Sequence, residues 1–334
     1  MAVRDFLQIG AVGLGIDVGK ASIKAVEIRR TSKGLEVVHL GQQPTPDGAV
    51  EGGIILDRSV VAQAVSSLLA SADVRRRRAV ISVTGQNVLA RVLRLPPIPE
   101  DELKQAIKWE AERHLPIPVD EAVIDVQLVR EVTDDGQRQI EVLLAAAPEG
   151  LVMSYIDTLE AAHIYVEAVE IGALAVTRAL RSQVANGTHA VIELGASTTC
   201  VSIVANGIPQ FSRTVPIGVE QGRPSTGSGQ TDVVQAGMAA GYAALGGLTV
   251  QLRRSLDYYR AQFGGASIDD LILCGGGVGV PDVLEALSGE LELPAIPAAP
   301  FAGLVIPSAF EAASAGNSGA QLTVAVGLAL RGMV

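Results

Sequence analysis

The chain has 334 residues, is 48% hydrophobic but only 3% aromatic, and carries 36 glycines. That length exceeds one compact core, and the wealth of small aliphatic residues excludes wholesale disorder, so two α/β lobes are expected. Lys and Arg total 26 against 36 Asp and Glu, and a net charge of −10 excludes general affinity for nucleic-acid backbones.

No uncharged run reaches the ~18 strongly apolar residues of a membrane span. The opening MAVRDFLQIG puts Asp5 where a secretory signal would need its apolar core, so a cytoplasmic address is expected. Cys200 and Cys274 lie in the strand-like TTCVSIV and LILCGGG, without zinc or thioredoxin spacing, and read as reduced core residues.

In chain order, alternation through Gly13 to Val18 and Ser22 to Arg30, a turn at Thr31 to Gly34 and a further run to Leu40 predict a hairpin and a third strand. A Pro/Gly-rich loop follows, and Asp57 caps a helix carrying Val61, Ala64, Val65 and Leu68. A strand is predicted at Ala79 to Val83. Residues 87–148 read as an inserted small α+β subdomain: a strand from Val88 to Leu95, a helix from Glu100 to Leu115, and strands Ala122 to Glu131 and Gln139 to Ala146 around an Asp-Asp-Gly turn. A helix from Glu149 to Ala162, a strand at Tyr165 to Val169 and a helix from Gly172 to Val184 come next.

The later half opens with strands Ala190 to Leu194 and Thr199 to Ala205, an Asn206-Gly207 turn, and strand Pro209 to Val215. Glu220 to Thr231, EQGRPSTGSGQT, reads as a flexible linker. A helix running to Phe263, a strand at Asp270 to Cys274, a triple glycine and helices Pro281 to Leu291 and Gln321 to Arg331 complete the chain.

The two hairpins match: Gly15-Ile-Asp17-Val-Gly19-Lys-Ala-Ser22 falls on Val191-Ile-Glu193-Leu-Gly195-Ala-Ser-Thr198, and Gly41 falls close to Gly218 at nearly the same spacing. In each copy a strand ends in an acid, and a glycine two residues on permits a tight turn that aims backbone N–H groups at an anion. Ser22, Ser197, Thr198 and Thr199 add hydroxyls. Two such turns facing across a cleft would hold a polyphosphate, with Asp17 and Glu193 placed to bind Mg²⁺ through waters. Gly275-Gly276-Gly277, after a buried strand, would let the backbone approach adenine and its ribose. No Walker A, GxGxxG helix opening or kinase loop is present.

With these residues the chain resembles the actin-like ATPase superfamily, and within it the PilM family of type IV pilus assembly. The resemblance rests on Gly15-Ile-Asp-Val-Gly19 with Ser22-Ile-Lys-Ala-Val-Glu27, Ala106 to Pro118 (AIKWEAERHLPIP), Leu252 to Tyr259 (LRRSLDYY) and Ala325 to Arg331. It implies an α/β actin-like fold of two duplicated lobes around a nucleotide cleft, with an FtsA-like inserted small α+β subdomain. The implied first lobe comprises residues 10–86, 149–185 and 320–334, the insert 87–148, the second lobe 186–219 and 267–319, and a reduced second-lobe subdomain with its linker 220–266. Carried over, Asp17, Gly19, Lys20, Ala21 and Ser22 form the first phosphate turn, Glu193, Gly195, Ala196, Ser197, Thr198 and Thr199 the second, and Gly275, Gly276 and Gly277 the adenosine contact.

The implied cofactors are ATP and Mg²⁺. The implied partner is a PilN-like inner-membrane protein, bound by its N-terminal cytoplasmic tail, which would make the chain an adaptor at the inner membrane with slow or absent hydrolysis; if hydrolysis occurs, Glu193 would orient the water. An FtsA-like filament-forming ATPase and a small-molecule kinase of the same fold are the alternatives. Two departures stand out: Glu193 replaces the superfamily's common Asp, and GRPSTGSGQT replaces a longer, partly helical segment.

Other features read as structural. Trp109 is expected at the core's edge, Glu110 and His114 as a helix-supporting pair, and His39, His163 and His189 in structural or surface roles. Arg75 to Arg78 reads as a solvated loop, and the Tyr258-Tyr259 helix as lying mainly on a core stripe.

Overall fold

The structure, a computed structural model, describes residues 13–134, 137–219, 230–262 and 266–334. Strand β1 (Leu14–Val18) is apolar enough to lie in the middle of a sheet, and it pairs antiparallel with β2 (Ser22–Thr31), which pairs with β3 (Gly34–Pro44). A two-residue-per-strand hairpin, β4 (Val50–Glu51) and β5 (Ile54–Ile55), precedes helix α1 (Arg58–Ser71). Asp57 Oδ1 caps α1 by accepting from the Val60 N–H at 3.0 Å, and Val61, Val65, Leu68 and Leu69 form its buried face. Strand β6 (Arg78–Val83) follows.

The insert supplies β7 (Leu89–Leu95), α2 (Glu100–Ala111), β8 (Ala122–Asp134) and β9 (Gln137–Pro148). Then come α3 (Glu149–Ala161), β10 (Tyr165–Ile171), α4 (Gly172–Ala179), β11 (Thr188–Leu194), β12 (Thr199–Ala205) and β13 (Ile208–Val215). The remaining elements are α5 (Gln230–Gln262), β14 (Asp270–Cys274), α6 (Val283–Leu291), β15 (Ala295–Pro297), α7 (Glu311–Ser314), α8 (Gly316–Ala320) and α9 (Thr323–Ala329).

One sheet has the order β10-β6-β1-β2-β3; the other runs β15-β14-β11-β12-β13-β7-β9-β8. Its first five strands repeat the first sheet's order, with a hairpin and third strand on one side of the central strand and two parallel strands on the other. The insert joins the second copy's edge: Phe211 pairs with Arg91, and Ser212 Oγ bonds both the N–H and the carbonyl of Ala90 at 3.2 Å. Nothing in the sequence announces that continuation.

Helices α4 and α9 pack where the two copies meet. A methyl group on Gly327 would lie 1.8 Å from the Ala175 carbonyl oxygen, and one on Gly15 2.2 Å from that of Ala325, so two glycines set how closely α9 approaches α4 and β1. Nearby, Glu170 is fully buried between Arg178 and Arg331.

Several boundaries differ from the expectation. The helix expected to reach Val184 stops at Ala179, α6 starts after Asp282 takes a left-handed φ of 57°, and the last helix shortens to α9. The Asp-Asp-Gly turn at 135–136 and the linker over 220–229 lie outside the described residues, as does Phe263; Gln230 and Thr231 already belong to α5. Trp109 does not sit at the core's edge but is 74% exposed, because Leu103, Ile107 and Ala111 fill the buried stripe of α2 and a residue two places from Ile107 points away. Among the described residues no helix is long and apolar enough to cross a membrane.

Candidate functional site

Each hairpin closes in the same way. Past Asp17 the chain turns so that the Gly19 N–H donates to the Ser22 carbonyl at 3.1 Å; past Glu193 the Gly195 N–H donates to that of Thr198 at 3.0 Å. The two acids hold equivalent ladder positions, Asp17 opposite Lys24 and Glu193 opposite Cys200. The second turn is braced by Gly218, whose missing side chain leaves room for backbone: a methyl there would come within 2.2 Å of the Ala196 oxygen.

The turns converge on one cavity of about 620 Å³. It is lined by Asp17, Gly19, Lys20, Ala21 and Ser22 from the first copy, Glu193, Gly195, Ala196, Ser197 and Thr198 from the second, and all three glycines 275–277. Thr199 is the exception. It is fully buried, and its hydroxyl donates to the Ile217 carbonyl at 2.8 Å, because the strand has begun and alternation turns its side chain from the cavity. Gly275, with φ +85°, packs against the Leu194 backbone, whereas nothing stands near the open side of Gly276. Across the mouth, the Gly52 N–H of the β4–β5 hairpin donates to Ser197 Oγ at 3.3 Å.

Lys24 is a charged side chain of the cavity that the sequence motifs do not mark. Its Nζ reaches Asp17 Oδ2 at 2.9 Å, with both side chains largely buried. The signal was there: a lysine between Ile23 and the apolar pair Ala25-Val26 is unusual, and seven residues beyond the acid the hairpin register brings it opposite. The second copy has Cys200 in that place and so no matching cation. Glu193 Oε2 is closed off from solvent without a hydrogen-bond partner, and burial, then the neighbouring Asp17, push this carboxyl up to about 7 although Lys24 pulls it down. Lys20 reaches outward to Glu51 at 3.1 Å. Gln42, Thr84 and Gln321 also line the cavity without any motif to mark them.

Both cysteines are free; burial pushes the Cys200 thiol up to about 12 and raises that of Cys274 as well, which disfavours the thiolate form. Glu110 on α2 and His114, in the turn that follows the helix, make a 3.4 Å pair. All four clustered arginines have partners within the chain: Arg75 with Asp73, Arg76 with Glu27, Arg77 with the Val74 carbonyl and Arg78 with Glu167. Among the described residues no three His, Cys, Asp or Glu side chains gather as a metal cage, so a cation in the cavity would find the separate carboxylates of Asp17, Glu193 and Asp47 on its walls and otherwise water.

A family model described as "Type IV pilus assembly protein PilM" matches residues 15–225 and 245–333. The chain belongs to the PilM family. Its duplicated α/β architecture is the actin-like ATPase fold. A solved structure, "PilM-PilN type IV pilus biogenesis complex", is similar to this PilM-family chain at 25% identity and a TM-score of 0.83, covering 98% of this chain and 100% of that one. The ethanolamine utilization protein EutJ from Carboxydothermus hydrogenoformans shares the fold at 13% identity and a TM-score of 0.51, over 98% of this chain and 92% of its own.

Proposed function

We propose that this PilM-family protein holds Mg-ATP between its two lobes and docks the N-terminal cytoplasmic tail of a PilN-like inner-membrane protein, acting as an adaptor of pilus assembly at that membrane. The observation that carries the nucleotide half is the convergence of two duplicated acid–glycine turns and a triple glycine on one cavity. The partner half rests on family membership and on the similarity to the PilM–PilN complex.

The cavity's chemistry fits the ligand. Backbone N–H groups and hydroxyls of 19–22 and 195–198 would grip phosphate oxygens from two sides, and the open side of Gly276, between two glycines packed on Leu194, leaves room for a flat base. Asp17 and Glu193 would hold Mg²⁺ through water, and the partnerless Glu193 Oε2 is the orphan that such a cation would satisfy. Bound ATP would supply a polyanion that both lobes contact at once. Lys24 balances the Asp17 charge, and a cation held there would favour the ionised form of the Glu193 carboxyl, which burial otherwise pushes up to about 7. Ligand contacts from both copies differ in strength between open and closed arrangements, which is how occupancy would fix the angle between lobes. The carboxylates that line the cavity are Asp17, Asp47 and Glu193, and slow or absent turnover is part of the proposal, with Glu193 orienting the attacking water if hydrolysis occurs.

Calorimetry with ATP and excess Mg²⁺ on the native chain and Asp17→Ala, with phosphate release assayed in parallel, tests the nucleotide half. Binding that the variant weakens, with little release, is the expected result; no binding by the native chain refutes it. Titrating a PilN tail peptide with and without ATP tests the adaptor, and the absence of binding in both conditions refutes that half.

A further inference from the structure

The carbonyl of each turn's glycine is tied back by a donor that follows the third strand of its copy. In the first copy the Thr45 hydroxyl donates to the Gly19 oxygen at 2.6 Å, and the Thr45 N–H donates to the Ala21 oxygen at 3.1 Å. In the second copy the Val219 N–H donates to the Gly195 oxygen at 2.8 Å. Thr45 is 2% exposed and lies outside the cavity's lining, so it cannot touch a ligand there.

A trans peptide points its C=O and its N–H in opposite directions, and the chain has no cis bonds among its described residues. Holding the Gly19 oxygen from behind therefore aims the Lys20 N–H forward, and holding the Gly195 oxygen aims the Ala196 N–H likewise. Lys20 and Ala196 both line the cavity. A glycine is the residue whose peptide flips most easily, so a turn built on Gly19 needs such a tether if its N–H is to stay directed at an anion. That the duplicated turn meets the same need with a main-chain donor sets Thr45 apart from an incidental contact.

We infer that Thr45 is a positioning residue for phosphate binding: its hydroxyl, through the Gly19 carbonyl, orients the first turn's backbone donors toward the ligand. The inference rests on the cavity taking ATP. Losing the tether frees the 19–20 peptide to rotate and leaves its carbonyl without that partner, and the expected effect is about tenfold weaker ATP binding or more.

The test uses calorimetry with Mg-ATP on the native protein, Thr45→Val, which keeps shape and loses the hydroxyl, and Thr45→Ser, which keeps the hydroxyl. Adenosine, in competition with ATP, is the probe without phosphate. The expected result is an ATP affinity reduced about tenfold or more in T45V, within about twofold of native in T45S, and an adenosine affinity the same in native and T45V. Equal ATP affinity in T45V and native overturns the inference, as does equal weakening in T45V and T45S, which would mark a packing role. Parallel loss of ATP and adenosine in T45V overturns it too, because a general distortion of the site would then be the cause. Failure of the native chain to bind ATP would refute the nucleotide reading beneath it and is seen separately.

Discussion

Replacing Glu193 by Gln makes the folded protein more tolerant of alkaline pH. The native carboxyl has Oε2 shut away without a partner, and burial, followed by Asp17, raises its pKa from 4.5 to about 7 against the pull of Lys24. An acid that holds its proton more tightly when folded than when unfolded penalises folding once it ionises. Stability is then greatest below the unfolded value of 4.5, declines as pH rises toward about 7, and levels off above it. At about 1.4 kcal/mol for each tenfold change in proton affinity, the rise from 4.5 to about 7 corresponds to roughly 3 kcal/mol, and the residue's partial exposure lowers this to about 2 kcal/mol. Whatever the Gln amide costs is the same at every pH. Urea unfolding without nucleotide, run on both proteins near about pH 5 and about pH 8.5, therefore isolates the effect: E193Q gains about 2 kcal/mol relative to native between the two conditions. A stability difference that stays flat with pH, or that moves the other way, refutes the electrostatic account of the cavity.

Lys24→Met removes one partner of a largely buried pair and leaves Asp17 uncompensated; a loss of about 3 kcal/mol by urea unfolding is expected, together with weaker ATP binding by calorimetry. Gly218→Ala drives a methyl to 2.2 Å from the Ala196 oxygen and 2.4 Å from the Ser197 nitrogen, so the second turn must move, and ATP affinity falls about tenfold or more. His189 has acceptors at both ring nitrogens, Asp270 Oδ1 at 2.8 Å and the Asn186 carbonyl at 2.7 Å, and donates to both only as an imidazolium. Burial lowers its pKa, but the Asp270 and Asn186 hydrogen bonds and the charges of Asp270 and Asp269 outweigh that and raise it above 6.5. Its contribution is thus complete below 6.5 and is lost as pH rises through the higher folded value; His189→Gln abolishes this step in a pH series of melts.

Much of the site was legible in the residues because its first requirement is local. Asp17-Val-Gly19 and Glu193-Leu-Gly195 each specify a strand that carries an acid into a tight turn, and the duplication exposes the pattern against a background of ordinary turns. Thr199 was misplaced by one step of strand alternation, since the side chain after Thr198 faces the other way. Trp109 was misjudged because a helical stripe is defined by what packs on it, and Leu103 and Ile107 were already sufficient.

By itself, then, the sequence determined the duplicated hairpins, the glycine turns, the triple glycine after β14 and the capped helix α1, all of which follow from backbone geometry within a few residues. Tertiary structure alone decided that Lys24 sits against Asp17, that Thr45 ties down Gly19, that the insert's strands extend the second sheet through Phe211 and Arg91, and that Glu193 Oε2 is left without a partner. The division has a physical cause: a turn's conformation is set by the sterics of neighbouring residues, whereas strand register, close helix packing at Gly327 and the desolvation of a carboxylate depend on which distant segments come to lie together.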